Sequence, residues 1–262
     1  MNNIVKDFED VITAEFNEYD YLSEDINENS HIINLWEPLD FKIDENYEYV
    51  PDNIIFKLFS NLLYYGIGFP VLSILTKLIY DFKVEGKENI KNLSGNFITV
   101  SNHVLFLDCA MVGIALGKRN VYFTTLEGSF KIPFVRKLIK LLKALPIPTK
   151  ISNKKHFMNA ISTILSKNGI VHFYPEASMW PYCNRVRHFK DGAFDFAVRN
   201  DVPVVPMVFK FREPKGFRKL FKNKPDVTLK ILEPIKCASE IDNYKDKVQF
   251  MKNTAFDRMS AC

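Results

Sequence analysis

The run Phe97–Ser101 is rich in β-forming residues and leads directly into Asn102-His103-Val104-Leu105-Phe106-Leu107-Asp108, which sets a histidine and an aspartate at the mouth of a predicted strand. A free imidazole titrates near ~6.5 and can take a proton from an alcohol at neutral pH. A carboxylate on its second nitrogen would fix the tautomer and steady the imidazolium. Five positions apart on a regular helix, two side chains point about 140° away from each other. Contact therefore requires His103 to lie in the turn before a helix, with Asp108 beyond it. On this spacing alone, a structural histidine satisfied by hydrogen bonds is the commoner outcome. No serine or cysteine stands out as an activated nucleophile, so the attacking oxygen would belong to the substrate.

A second constellation, His172-Phe173-Tyr174-Pro175-Glu176-Ala177-Ser178-Met179-Trp180-Pro181, again follows a predicted strand and brings Glu176 to the same edge. Pro175 ends the strand's hydrogen bonding, and Glu176 could accept a hydrogen bond from a substrate hydroxyl or serve as a turn residue. Arg185, Arg187 and Lys190 follow and could meet a phosphate, or form a solvated basic loop.

The elements that must position these groups alternate. Short β-rich runs at 97–101, 121–125, 170–174, 204–209 and 227–232 are separated by helical stretches at 110–116, 134–145, 156–166 and 193–199. This alternation predicts an α/β fold, a mostly parallel central sheet flanked by helices, with reactive groups at the carboxyl ends of the strands. In 134–145, Phe134, Leu138, Leu141, Leu142 and Leu145 share one helical face and Arg136, Lys137, Lys140 and Lys143 the other, a pattern that suits either a core-facing helix or one lying on an anionic membrane.

Upstream, residues 58–76 are uncharged and strongly apolar, but Gly66, Gly68 and Pro70 interrupt them. Two short helices, as a hairpin or monotopic segment in one leaflet, fit this pattern better than one spanning helix; a buried helical pair covering the core is the alternative. Residues 1–50 hold fourteen acidic residues against Lys6 and Lys42, allow a weak helix near 5–16, and read as an acidic arm.

With that arm set aside, the formal charge of +4 becomes +16 for residues 51–262. A basic body points to nucleic acid, an anionic lipid surface or a phosphate-bearing substrate. Nucleic acid is disfavoured by the lack of a zinc-finger spacing, an aromatic RNA-binding motif or a recognition helix. A zinc hydrolase could recruit His103, Asp108, His172, Cys183 and His188, but no H-E-x-x-H or paired-cysteine framework is present. The four scattered cysteines read as reduced thiols, and the first thirty residues do not read as a signal peptide.

In their order, Asn102-His103-x4-Asp108, Tyr174-Pro175-Glu176, Phe189-Lys190-Asp191-Gly192-Ala193-Phe194 and Val202-Pro203-Val204-Val205-Pro206 resemble the blocks of the 1-acylglycerol-3-phosphate acyltransferase family. The resemblance covers about residues 81–234. It implies, after the acidic arm (1–50), an apolar membrane-associating helical segment (51–80) and an acyltransferase domain (81–262). It further implies transfer of a fatty acyl group from acyl-CoA or acyl carrier protein to the free hydroxyl of lysophosphatidic acid or a related lysophospholipid, at a membrane surface with the active site on the cytoplasmic side. His103 would be the general base, Asp108 its orienter, and Glu176 and Ser178 would lie in the acceptor-binding block; no cofactor or metal and no nucleic acid would be needed. The sequence departs from the family where phosphate should bind. Ala177-Ser178-Met179 replaces Gly-Thr-Arg after the glutamate, and a family lysine falls on Leu126 or Glu127. Either Lys150, Arg185, Arg187 and Lys190 take over the phosphate, or the acceptor carries another headgroup. A membrane-bound scaffold of the same fold with impaired catalysis is the rival reading.

Overall fold

A computed structural model describes residues 43, 47–93, 95–130, 133–220 and 224–262. The expected helix near 5–16 lies outside them, as does most of the acidic arm.

Seven strands, β1 (Lys83–Glu85), β2 (Phe97–Ser101), β3 (Val121–Leu126), β4 (Ala144–Ile147), β5 (Ile170–Phe173), β6 (Val204–Arg212) and β7 (Asp226–Ile231), form one sheet in the order β1-β7-β6-β2-β5-β3-β4. All neighbours run parallel except β6 and β7. Every residue of β2 is buried, as expected of a parallel strand covered on both faces. Val100 lies opposite Phe173 on one side and Pro206 on the other, so the carboxyl ends of β2 and β5 emerge side by side.

Helices cover both faces: α1 (Ile54–Asn61), α2 (Phe69–Tyr80), α3 (Glu88–Lys91), α4 (Asp108–Leu116), α5 (Pro133–Leu141), α6 (Ile151–Ser166), α7 (Gly192–Arg199) and α8 (Tyr244–Ser260). One core layer joins Ile98 and Val100 to Ile161 of α6, Phe194 of α7 and Met251 of α8. The other joins Phe97 and Val205 to Met111 and Val112 of α4 and to Tyr64 and Tyr80.

The apolar segment departs from the two-helix expectation. α1 runs through a π-helical turn, Leu62–Gly68, into α2 without a break, so that Ile54–Tyr80 is one continuous helix. Pro70 has no N–H to give and its ring would crowd the carbonyl one turn earlier; the wider turn ahead of it removes that conflict, and Pro70 sits in the first turn of α2. Nor is this a buried pair. One side packs closely, with Ser60 Oγ donating to Leu141 O at 2.6 Å and Tyr65 OH to Arg119 O at 2.9 Å. At Gly113 the approach is close enough that a Cβ would lie 2.6 Å from the Tyr64 hydroxyl. The opposite side leaves Ile55, Leu58, Leu62, Ile74 and Leu78 largely bare. This helix is long and apolar enough to cross a membrane by length and composition, and almost none of it is buried.

The helix expected over 134–145 also ends early. Lys143 adopts a φ of 65°, which stops the helical path after Leu141, and Leu145 pairs in β4 instead. The short strands β1 and β4 and the helix α8 have no counterpart in the sequence reading.

Candidate active site

β2 ends at Ser101, while its neighbour β6 continues to Arg212. Asn102 bridges this mismatch with its side chain: Phe209 N donates to its Oδ1 at 2.8 Å and its Nδ2 donates to Phe209 O at 3.2 Å. The amide thus imitates one more rung of sheet and anchors the chain just before it turns. His103 follows in that turn, and Asp108 is the first residue of α4. His103 Nδ1 donates to Asp108 Oδ2 at 2.6 Å, the contact that the spacing allowed only with the histidine outside the helix.

Asp108 is 1% exposed, and its other oxygen accepts a 2.7 Å bond from the Tyr174 hydroxyl. Burial, and then the Asp108 charge, push the Tyr174 phenol far above its ordinary range, so it remains a donor. The Tyr174 ring also stacks on the His103 imidazole, centroids 3.9 Å apart. The carboxylate and the ring therefore fix the imidazole in plane and rotation. The His103 side chain keeps 25% of its surface open, and its Nε2 has no hydrogen-bond partner among the described residues.

His172 is the contrasting case. It is wholly buried, bonded to Thr99 Oγ1 at 2.8 Å through Nδ1 and to Ser101 Oγ at 3.3 Å through Nε2. Burial drives its pKa down to about 3, so it is neutral and enclosed.

Glu176 turns inward. Its Oε2 accepts from His103 N at 3.2 Å and from Arg187 Nη2 at 2.8 Å, and its Oε1 accepts from Arg187 N at 2.9 Å. Arg187 Nη1 donates to Ser178 Oγ at 2.8 Å, Nη2 also reaches Ser178 O, and the guanidinium lies 4.6 Å from the centroid of the Trp180 ring. Burial raises the Glu176 pKa, and the Arg187 charge opposes that rise. Trp180 N and Tyr182 N donate to His103 O and Val104 O, so the loop after β5 is stitched to the turn that carries the histidine.

Of the residues singled out from the sequence, the structure brings together His103, Asp108, Glu176, Ser178 and Arg187. Arg187 is 2% exposed, far from an open cation. Lys150, Arg185 and Lys190 are exposed, and the Arg185 guanidinium lies 5.9 Å from the centroid of the same Trp180 ring. Lys150 follows β4, and Lys190 N donates to Pro175 O, so both belong to the carboxyl edge of the sheet. Glu127, where the family resemblance led us to expect a lysine, is buried and accepts from Thr149 N at 2.9 Å and Ile43 N at 2.6 Å. The role of Tyr174 was missed: the sequence placed it as the last residue of the predicted strand 170–174, whereas β5 ends at Phe173 and the ring lies on His103. A group of three metal-binding side chains is not found among the described residues.

Residues 81–210 match the acyltransferase family, and the chain belongs to it. Over 129 residues it is 30% identical to the chloroplastic 1-acyl-sn-glycerol-3-phosphate acyltransferase LPAT1 of Arabidopsis thaliana and 28% identical to the corresponding BAT2 of Brassica napus. Each match takes in 49% of this chain, and the chain spans only 35% and 37% of the length of those relatives. The crystal structure of the 1-acyl-sn-glycerophosphate acyltransferase PlsC from Thermotoga maritima aligns with 79% of this chain and 96% of its own, at 20% identity and a TM-score of 0.49.

Proposed function

We propose that the chain moves a fatty acyl group from a thioester, acyl-CoA or acyl carrier protein, to the free hydroxyl of lysophosphatidic acid or a related lysophospholipid. The observation that carries this reading is an imidazole at the carboxyl edge of the sheet whose Nδ1 is committed to a buried carboxylate while a quarter of its side chain stays exposed and its Nε2 has no hydrogen-bond partner among the described residues. Nε2 takes the hydroxyl proton as the hydroxyl oxygen attacks the thioester carbonyl carbon, and Asp108 stabilises the resulting imidazolium. Collapse of the tetrahedral adduct breaks the carbon–sulfur bond, and the departing thiolate recovers the proton from His103. The sulfur, the ester and the proton are all accounted for, with no covalent enzyme intermediate and no step through a metal.

Glu176, Ser178 and Arg187 act in this reading by holding the His103 turn and the loop over it. Headgroup contact falls to the exposed cations Lys150, Arg185 and Lys190. The bare apolar side of the Ile54–Tyr80 helix supports attachment to a membrane surface, with the basic body facing anionic headgroups on the cytoplasmic side.

Labelled acyl-CoA and acyl carrier protein, each offered with a panel of lysolipids, test the proposal. Transfer by the wild-type protein and none by folded His103→Ala is the expected result. A wild-type protein that is folded, binds membranes and transfers to no acceptor would overturn it in favour of a scaffold.

A further inference from the structure

At the edge of the sheet opposite His103, a cavity of ≈ 350 Å³ opens between α1, the ends of α5 and α6, and residues 49–52. Its position follows from the strands. Tyr122 lies near the start of β3 and Lys167 precedes β5, whereas the catalytic candidates follow the carboxyl ends of β2 and β5. The two sites are separated by the length of a strand, roughly 13 Å for four residues.

Lys57, Lys140, Lys143 and Lys167 line this cavity; Asp52 is the one carboxylate among the lining residues, and it already pairs with Lys57 at 2.9 Å. Lys143 is 7% exposed. Its ammonium donates to Asn120 Oδ1 at 3.0 Å and Tyr65 OH at 3.4 Å, and sits 4.6 Å and 5.1 Å from the ring centroids of Tyr65 and Tyr64. These partners are neutral, and no carboxylate lies within ion-pair distance among the described residues. A buried ammonium without a counterion is costly to fold around, and natural proteins usually pair it. Burial also pushes the Lys143 pKa down to about 8, the response of a cation that lacks an anion.

We propose that this cavity is a second binding site for a phosphate-bearing anion, separate from the acceptor site at the carboxyl edge. Four lysines present compact point charges suited to a phosphate approached from several sides. The occupant is either an anionic lipid headgroup or free phosphate.

The test uses the full chain in a neutral maltoside detergent, titrated in turn with inorganic phosphate, dihexanoylphosphatidylglycerol and dihexanoylphosphatidylcholine, with heat of binding as the readout. The variants are Lys143→Met, which keeps the apolar stem, and Lys167→Gln, which is exposed and leaves packing intact. We expect phosphate or the phosphatidylglycerol to bind the wild-type protein and to bind each variant roughly tenfold more weakly. A response to phosphate identifies a small-anion site, and a response to phosphatidylglycerol alone identifies a headgroup site. No binding of either, affinities unchanged in both variants, or equal binding of the zwitterionic phosphatidylcholine would overturn the proposal.

Discussion

His103 and Asp108 gain their geometry from one covalent fact, that the histidine sits in a turn and the aspartate opens a helix. Asp108→Asn keeps the volume but offers an amide that can present a donor to Nδ1, which favours the wrong tautomer; transfer should fall by roughly 10³-fold or more with the circular dichroism spectrum unchanged. Tyr174→Phe removes the bond to the other Asp108 oxygen and keeps the ring stack. One lost hydrogen bond to a charged group is worth about 1.5 kcal/mol, so kcat should fall about tenfold while KM holds. At the opposite edge, Lys143→Met should raise the melting temperature at pH 7. The sign follows from linkage: a lysine lowered to about 8 in the folded protein binds fewer protons than in the unfolded chain between that pH and its ordinary value near ~10.4. Its ionised form therefore costs stability below pH 8, and the cost fades as pH rises. The groups facing it are the rings of Tyr64, Tyr65 and Tyr122, with Lys57, Lys140 and Lys167 across the cavity; the carboxylates there act on other lysines, Asp52 pairing with Lys57 and Glu48 acting on Lys140, so burial sets the sign at Lys143. Melting curves of both proteins from pH 7 to 10 should converge.

The loop after β5 carries both a strained backbone position and a buried ion pair. Ala177 adopts a φ of 65°, a conformation that glycine takes freely and alanine takes at a cost of about 1 kcal/mol. Within this loop Glu176 and Arg187 form a fully buried ion pair. Glu176→Ala strands the guanidinium and should destabilise by about 3–5 kcal/mol in urea denaturation, whereas the double variant Glu176→Ala with Arg187→Met should lose distinctly less. If the double variant were as unstable as the sum of the singles, the pair would not be coupled as the structure shows it. The presence of Glu176 at this edge was legible from the strand and proline before it. Its inward direction was not, because a carboxylate in a turn reads as exposed until the arginine that meets it is placed by the fold.

At the scale of the whole molecule, the Ile54–Tyr80 helix covers the domain on one side and offers apolar surface on the other. Replacing Leu58, Leu62 and Ile74 together by aspartate should leave the domain folded, since all three point away from it, and should abolish flotation with anionic vesicles. Unchanged flotation would assign attachment to another surface. The sequence by itself determined the α/β class, five of the seven strands, the approximate positions of four helices and the location of the His103–Asp108 pair at a strand mouth. These follow from local rules, namely the alternation of β-rich and helical runs and the spacing of a histidine and an aspartate around a turn. Only the tertiary structure decided that the apolar segment is one helix with a π turn, that the edge strands β1 and β4 exist, that Tyr174 completes the pair, and that Arg187 is spent on Glu176. Each of these depends on contacts between residues distant along the chain. A three- or four-residue edge strand has too little pattern to declare itself, and a charge shows whether it is paired or open only when its neighbours in space are known.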